Sequence, residues 1–317
     1  MKKHLFFIDP LSKLNPKKDT SLMLASTMKE QGMEVYLLFE DDFYLNNKKK
    51  IEFKVHDFDF DFYEDHCYLK SFNQTTFKVV ELVKGDVIHM RIDPPFDTRY
   101  LRYLWMLRYY QEQGIKVLNS PDGILKFNEK LHAYAQKSSL PTYVGSSARE
   151  FEIFVMEAIK RGDTHLILKP LDLYQGIGVE KQSLQEESLI TIFENKVKNC
   201  NGPVVAQPYC SDVEKGEIRA IFYKSKEIGS ILKVPQSGEF LANIAQGASF
   251  SSIELTSALQ KECTEICREL EKDGVDLVAF DILGGHVSEI NITCPGLLVE
   301  VSFAHKKNLA REIIKQF

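Results

Sequence analysis

The pattern of apolar and polar residues in the first third of the chain alternates between short strands and helices. Apolar runs typical of strands lie at residues 5–8, 35–39, 86–90 and 115–118. Between them, Asp19-Thr20-Ser21 offers N-caps for a helix that stops at Gly32, and Asp97-Thr98 caps a second helix that runs to Gly114. Strands alternating with helices predict an α/β, Rossmann-like domain with a parallel, doubly wound sheet.

Beyond residue 122 the pattern changes. The capping box Ser147-x-x-Glu150 opens a helix between two strands, and a helix is expected near residues 128–137. Further strands are predicted at residues 142–144, 165–169, 204–207, 218–223, 277–283 and 287–292, with a long helix over residues 256–273. This mixture indicates an α+β fold. We predict boundaries that divide the chain into residues 1–122, 123–206 and 207–317.

Charge and composition restrict the partners. The 317 residues carry 40 Lys and Arg against 45 Asp and Glu, a net charge of −5, so no global positive field favours nucleic acid or an anionic membrane. The apolar run at residues 5–8 is cut by Asp9-Pro10, too early for an export signal of roughly 7–15 apolar residues. Six widely separated cysteines then favour reduced thiols in the cytoplasm, where we expect the protein to act.

Common catalytic signatures are absent from the sequence. There is no Walker phosphate loop, G-x-S-x-G or H-E-x-x-H, and Gly176-Ile-Gly178 has Lys181 where a dinucleotide fingerprint has its third glycine. Lys169 ends an apolar strand and can direct its ammonium group at phosphates. Lys130 offers a second cation. Either residue alone also fits an ordinary surface lysine.

A pair of strands near the carboxyl end carries possible metal ligands. Asp281 lies in one strand, and Glu289 and Asn291 share a face of the next, where oxygen atoms suit Mg²⁺. A two-residue turn at Gly284-Gly285 would pair Asp281 with Ser288 instead of Glu289, so a metal site requires an odd-length loop. A hairpin with solvent-facing polar residues explains the same pattern equally well.

Several sequence blocks resemble bacterial glutathione synthetases, members of the ATP-grasp superfamily. They run in the family's order over nearly the whole chain: residues 8–21, 90–98, 128–131, 167–172, 206–209, 234–236 and 281–293. The combination is specific, although each block alone is not. The resemblance implies an N-terminal pre-ATP-grasp domain packed on an ATP-grasp fold.

The resemblance also implies roles for individual residues. It makes Lys130 and Lys169 ligands of the ATP phosphates beside Gly176, and it makes Glu217 the ribose ligand. Arg219 and Lys233 are implied to act on the transferring phosphate. The hinge against adenine would comprise Gln207, Pro208, Tyr209 and Cys210, the metal ligands would be Asp281, Glu289 and Asn291, and the peptide substrate would meet Asp19, Thr20, Ser21, Arg91 and Asn243.

The implied reaction is ATP-dependent ligation with Mg²⁺, or alternatively Mn²⁺. ATP would phosphorylate a carboxylate of γ-glutamylcysteine, and the amine of glycine would displace phosphate from the acyl phosphate, without a nucleophilic side chain. Small-molecule acids and amines are thus the expected partners, and a homotetramer is a further implication of the resemblance. Two alternatives stay open: a ligase for another acid and amine, and a non-catalytic nucleotide-binding paralogue.

The sequence departs from the family at three places, one in the phosphate loop and two at expected substrate contacts. The glycine-rich phosphate loop is thinned to Leu173-Tyr174-Gln175-Gly176. The predicted lid, residues 235–250, has no Lys or Arg and carries Leu241 and Ser249 where the family has arginines. Val299 replaces an arginine expected at a substrate carboxylate. Loss of a bidentate carboxylate clamp predicts weaker binding of an acidic peptide.

Overall fold

A mixed six-stranded sheet forms the amino-terminal part of the fold, in a computed structural model that describes residues 2–64, 67–173, 176–239 and 241–317. Its strands are β1 (Lys3–Ile8), β2 (Glu34–Phe39), β3 (Glu52–Phe62), β4 (Leu69–Glu81), β5 (Val87–Arg91) and β6 (Lys116–Leu118), in the order β4-β3-β2-β1-β5-β6. The four strands β2, β1, β5 and β6 are parallel, as predicted. The prediction of a wholly parallel sheet is wrong at one edge, because β3 and β4 follow each other without a helix and pair antiparallel.

Two capped helices cover this sheet as the sequence predicts. Helix α1 (Thr20–Glu30) starts where Asp19 Oδ1 accepts a hydrogen bond from Leu22 N at 2.7 Å, and α2 (Thr98–Glu112) starts at Asp97, which accepts one from Tyr100 N. Two short helices follow, α3 (Pro121–Lys126) and α4 (Glu129–Tyr134). Helix α4 ends earlier than the predicted residue 137.

A four-stranded antiparallel sheet forms the second part. Helix α5 (Ala148–Arg161) and helix α6 (Leu189–Cys200) pack on it, and the rings of Phe151 and Phe193 stack between them with centroids 4.1 Å apart. The strands are β7 (Tyr143–Gly145), β8 (His165–Pro170), β9 (Glu180–Ser183) and β10 (Val204–Pro208), in the order β7-β10-β8-β9. Strand β10 crosses the boundary that we predicted between residues 206 and 207, and it ends at Pro208.

The third sheet is also antiparallel and has helices on both faces. Its five strands are β11 (Glu217–Tyr223), β12 (Lys226–Val234), β13 (Ser249–Ser252), β14 (Leu277–Leu283) and β15 (His286–Asn291), in the order β13-β12-β11-β14-β15. Helix α7 (Ser257–Glu271) packs on one face through Cys263, Ile266, Cys267 and Leu270. Helices α8 (Leu298–Ala304) and α9 (Ala310–Ile314) lie between the other face and α1, where Leu298 shares a core with Leu22 and Ile231.

All six cysteines are free thiols, as expected. No helix among the described residues has the length and apolar character needed to cross a membrane. The sequence pattern did not identify β4, β9, β12, β13, α6, α8 or α9. Every other strand that carries a predicted site residue was predicted to within a few residues, and β12, which carries Lys233, is the exception.

Candidate active site

The β14–β15 hairpin brings the two predicted metal-binding carboxylates to the same position of the sheet. Leu283 pairs with His286 across a two-residue turn, which contradicts the expectation that a metal site requires an odd loop. The register shifts at Ser288, so Asp281 nevertheless pairs with Glu289. A β-bulge in β15 therefore supplies the extra residue that we expected in the turn.

Asp281 lies at the centre of a buried charge network. Its Oδ1 is 2.9 Å from Lys233 Nζ, and its Oδ2 is 3.0 Å from Arg219 Nη2. Lys233 also contacts Glu217 Oε2 at 2.6 Å. Burial opposes ionisation of Asp281, but Arg219 and Lys233 together lower its pKa to about 2. The carboxylate is therefore firmly charged.

The same network includes Glu217 and Lys233, which face each other at one end of two paired strands. Glu217 opens β11 directly across from Lys233 on β12. Burial raises the pKa of Glu217 in spite of Lys233. Burial also disfavours the charged form of Lys233, yet Asp281 and Glu217 outweigh it and raise the pKa of the ammonium group. Lys233 is thus a persistent cation between two carboxylates.

The two predicted phosphate lysines converge on Glu289. Lys130, in the first turn of α4, donates to Glu289 Oε1 at 3.0 Å and to the Leu173 carbonyl at 2.7 Å. Burial lowers the pKa of Lys169, on β8, to about 8, while Glu289 raises it and Lys130 lowers it. Within the described residues, no carboxylate forms a salt bridge with Lys169. Two ammonium groups that are 39 positions apart in the sequence thus face the carboxylate hairpin together.

The loop after Lys169 touches the predicted lid. Gly176 has φ +78°, and a Cβ built on it would lie 3.1 Å from Leu241 Cδ1. Leu241 lies where the resemblance predicts an arginine, so the predicted lid contacts the predicted phosphate loop through an apolar side chain. Residues 174 and 175 of that loop, and residue 240 of the lid, lie outside the described residues.

The predicted hinge borders the tip of the hairpin. Gln207 is buried and donates to Thr142 Oγ1 at 2.8 Å, and Pro208 ends β10. Lys181 Nζ lies 3.4 Å from the ring centroid of Tyr209. A Cβ on Gly284 would lie 2.9 Å from Cys210 Sγ, so the hinge and the turn are in close contact.

The predicted substrate residues fall into two groups. Arg91 is buried and donates from Nε to Ser21 Oγ at 2.8 Å and from Nη2 to the Pro295 carbonyl at 2.9 Å. Beside it, Thr20 Oγ1 accepts from Leu298 N, and burial raises the pKa of Asp19 to about 6. These residues join the first domain to the start of α8.

Asn243 is apart from this group, in the predicted lid, where its carbonyl accepts from Gln246 N and Ala248 N. Val299 is buried in the core beside α1. It therefore offers no contact to a substrate carboxylate.

The oxygen atoms of the hairpin suit a divalent cation. Asn291 Nδ2 donates to the Ala279 carbonyl and to Asp281 Oδ2, each at 3.1 Å, which leaves its Oδ1 as an acceptor beside two carboxylates. Hard oxygen ligands of this kind are those that Mg²⁺ prefers. Among the described residues no three His, Cys, Asp or Glu side chains cluster as metal ligands.

Glu129 is a site residue that the sequence analysis missed. Its Oε1 accepts from Ile292 N, Thr293 N and Thr293 Oγ1 at 2.7–2.8 Å, and thereby ties α4 to the end of β15. This contact fixes Lys130 next to Glu289. Its only sequence signal is adjacency to Lys130, because its partners lie more than 160 residues away.

Two models of one known family match most of this sequence. A model of the prokaryotic glutathione synthetase ATP-grasp domain matches residues 129–306, and a model of the N-terminal domain of the same family matches residues 2–124. The chain belongs to the prokaryotic glutathione synthetase family. The family prediction is therefore confirmed, and with it the assignment to ATP-dependent ligases that form C–N bonds with the help of a divalent metal.

Individual members of the glutathione synthetase family align over nearly the full length. The glutathione synthetase of Prochlorococcus marinus subsp. pastoris is 28% identical over 315 residues, which cover 99% of this chain and 98% of that protein. The glutathione synthetase of Nostoc sp. is 27% identical over 316 residues, 98% of this chain and 96% of that protein.

Solved structures show the same fold at low sequence identity. The D-cycloserine synthetase DcsG has a TM-score of 0.66 and 12% identity, covering 99% of both chains. The ATP-grasp ligase PsnB complexed with its minimal precursor has a TM-score of 0.64 and 14% identity, covering 100% of both chains. These similarities confirm the predicted ATP-grasp architecture.

Proposed function

We propose that this protein ligates γ-glutamylcysteine to glycine at the expense of ATP, in the cleft between Lys169 and the β14–β15 hairpin. The observation that carries the proposal is the convergence of Lys130, Lys169, Arg219 and Lys233 on the carboxylates of one hairpin. Such a cluster of cations around acidic metal ligands suits a nucleotide triphosphate. The names of the relatives support the choice of acid and amine.

The proposed roles follow from the contacts of each side chain. Lys130 and Lys169 bind phosphate oxygens, residues 207–210 border the base, and Glu217 meets the ribose. Asp281, Glu289 and Asn291 would hold Mg²⁺, or Mn²⁺, which supplies neutralising charge to the phosphates. A known precedent for the metal is the ligase PsnB, which was solved with Mg and ADP.

Arg219 is the proposed contact of the phosphoryl group in transfer. Its Nη2 bonds to Asp281, whereas its Nε is buried without a partner among the described residues and remains a donor for a phosphoryl oxygen. Phosphorylation converts the substrate carboxylate into an acyl group with phosphate as its leaving group. Lys233 stays charged beside Asp281 and adds to the positive potential there. The protein thus acts by positioning and by charge stabilisation.

A second candidate is a ligase of the same type that takes a less acidic acid. It is favoured by the buried Val299 and by a lid that meets Gly176 through Leu241, since neither position offers a cation to a substrate carboxylate. Steady-state release of ADP with γ-glutamylcysteine and glycine, compared with a panel of other acids and amines, separates the two. Nucleotide binding without turnover on any acid and amine would contradict both and indicate a non-catalytic paralogue.

A further inference from the structure

Two buried polar atoms of opposite character lack partners near the catalytic cations. They are Glu300 Oε2 and Arg219 Nε, and among the described residues Glu300 Oε2 is the only carboxylate oxygen in this condition. Buried polar groups in proteins are nearly always hydrogen-bonded, and an exception at a site often marks the place of a ligand. A group that accepts from Arg219 and donates to Glu300 would satisfy both.

Glu300 lies where the first domain meets the third sheet. It is 4% exposed and belongs to the first turn of α8. Two residues earlier, Leu298 N donates to Thr20 Oγ1 at 3.1 Å, which fixes the start of α8 beside the proposed substrate residues. The Glu300 carboxylate thus lies near Asp19, on the proposed acid-binding side, and near Arg219.

Three charged groups face the Glu300 carboxylate. Burial raises the pKa of Glu300, whereas its own backbone N–H, which donates to the carboxylate, lowers it. Lys18 and Arg219 lower it further, and Asp19 raises it. No salt bridge to Glu300 is formed within the described part of the chain. The pKa nevertheless lies above its usual value, which makes this carboxylate a better proton acceptor than an exposed one.

The ligation requires such an acceptor. An amine substrate is an ammonium ion near neutral pH, and it must lose a proton before its nitrogen can attack an acyl phosphate. The other carboxylates of the cleft are poorly suited, because Asp281 and Glu217 contact Lys233 and Glu289 contacts Lys130. Asp19 Oδ1 is engaged by Leu22 N as the cap of α1.

We propose that Glu300 binds the ammonium group of the amine substrate and accepts its proton, an inference that rests on the proposed ligase function. One N–H bond breaks and its proton passes to Glu300 Oε2. The freed lone pair forms the C–N bond, the C–O bond to phosphate breaks, and phosphate leaves with that electron pair. A second N–H bond then breaks and its proton passes to the departing phosphate, which leaves a neutral amide. Arg219 Nε donates to a phosphoryl oxygen during this step. The proton leaves Glu300 for water when the products depart.

Hydroxylamine provides a direct test, because it is a neutral nucleophile near pH 7 and needs no prior deprotonation. The purified full-length chain would be assayed with ATP, Mg²⁺ and γ-glutamylcysteine, with either glycine or hydroxylamine as the acceptor. For Glu300→Gln we expect amide formation with glycine to fall about 100-fold or more, the range of general base catalysis. Hydroxamate formation should stay within about threefold of wild type.

Two further variants and the pH dependence separate catalysis from folding. Glu300→Asp should regain part of the rate with glycine, and the matched control Glu157→Gln, on the exposed side of α5, should behave as wild type. The glycine reaction of Glu300→Gln should recover at high pH, where the free amine is abundant.

Three results would contradict these proposals. If Glu300→Gln lowers both reactions equally, or if high pH does not restore the glycine reaction, the proposal for Glu300 is overturned. If wild type forms neither amide nor hydroxamate, the proposed ligase function fails instead.

Discussion

Lys169 differs from the other cations of the cleft because it forms no salt bridge with a carboxylate within the described residues. Lys130, Arg219 and Lys233 each contact a carboxylate, whereas Lys169 lies 5.4 Å from the ring centroid of Tyr134 and has a pKa of about 8. A bound phosphate raises the pKa of a neighbouring lysine, because the negative charge favours the protonated form. The protonation state changes most for a lysine whose pKa is low before the phosphate binds. If Lys169 binds the phosphates as proposed, we expect it to be the side chain whose protonation is most closely coupled to nucleotide binding.

This coupling gives a pH-dependent prediction. Below pH 8 Lys169 carries its proton before ATP arrives, and above pH 8 binding must also take up a proton, so ATP affinity should fall by up to about tenfold per pH unit. Isothermal titration of ADP or ATP between pH 7 and 10 measures this slope. Lys169→Arg should flatten it, since arginine stays charged throughout.

Lys169→Ala should weaken nucleotide binding about 10-fold to 100-fold at pH 7, with Lys198→Ala on the exposed side of α6 as the control. An unchanged affinity in Lys169→Ala, or equal losses in both variants, would show that the phosphates bind elsewhere.

At the scale of single elements, the β14–β15 hairpin shows which features a sequence pattern can predict. Alternation along β15 placed Glu289 and Asn291 on one face, and the structure bears this out. The bulge at Ser288 was not predictable, because its only sequence requirement is one additional residue in a strand of ordinary composition. Strand β12 escaped detection for a related reason: it is buried along most of its length, so its residues do not alternate.

The turn of this hairpin offers a matched pair of substitutions. Gly284 and Gly285 both have positive φ, +58° and +84°, so alanine at either position costs about 1 kcal/mol of backbone strain. Only Gly284 is crowded: its Cβ would lie 2.9 Å from Cys210 Sγ and 3.0 Å from Asp212 Oδ2, whereas nothing lies within 4 Å of a Cβ on Gly285.

We expect Gly285→Ala to lower the free energy of unfolding by about 1 kcal/mol and to leave the Kd for ADP unchanged. Gly284→Ala should be less stable than Gly285→Ala and should also bind ADP more weakly, because it pushes the hinge at residues 207–210 away from the hairpin. Urea denaturation and ADP titration of both variants test this. Identical ADP affinities in the two variants would mean that the hinge does not border the nucleotide.

On the scale of the whole molecule, the site depends on contacts between residues that are far apart in the sequence. Arg91 reaches Pro295, Glu129 reaches Thr293, and Asn119 reaches the ends of both strands of the hairpin. Periodicity and capping signals describe neighbours within a few positions, so they identified many of the elements but none of these contacts. The family resemblance supplied the expected site residues, but it did not supply the residues that hold them in place.

Asn119 provides the sharpest test of this long-range support. Its Nδ2 donates to the carbonyls of Leu277 and Ile292, and its Oδ1 accepts from Asp276 N and Leu277 N. Asn119→Ala would leave these buried and part-buried backbone groups without the side chain that pairs with them, so we expect a loss of about 2–4 kcal/mol in the free energy of unfolding. Since Leu277 begins the strand of Asp281, and Ile292 follows that of Glu289, kcat should fall as well. Asn195→Ala, at an exposed position of α6, should change stability by no more than about 0.5 kcal/mol. If Asn119→Ala unfolds at the same urea concentration as wild type, the hairpin is held by its own sheet alone, and the first domain contributes only substrate contacts.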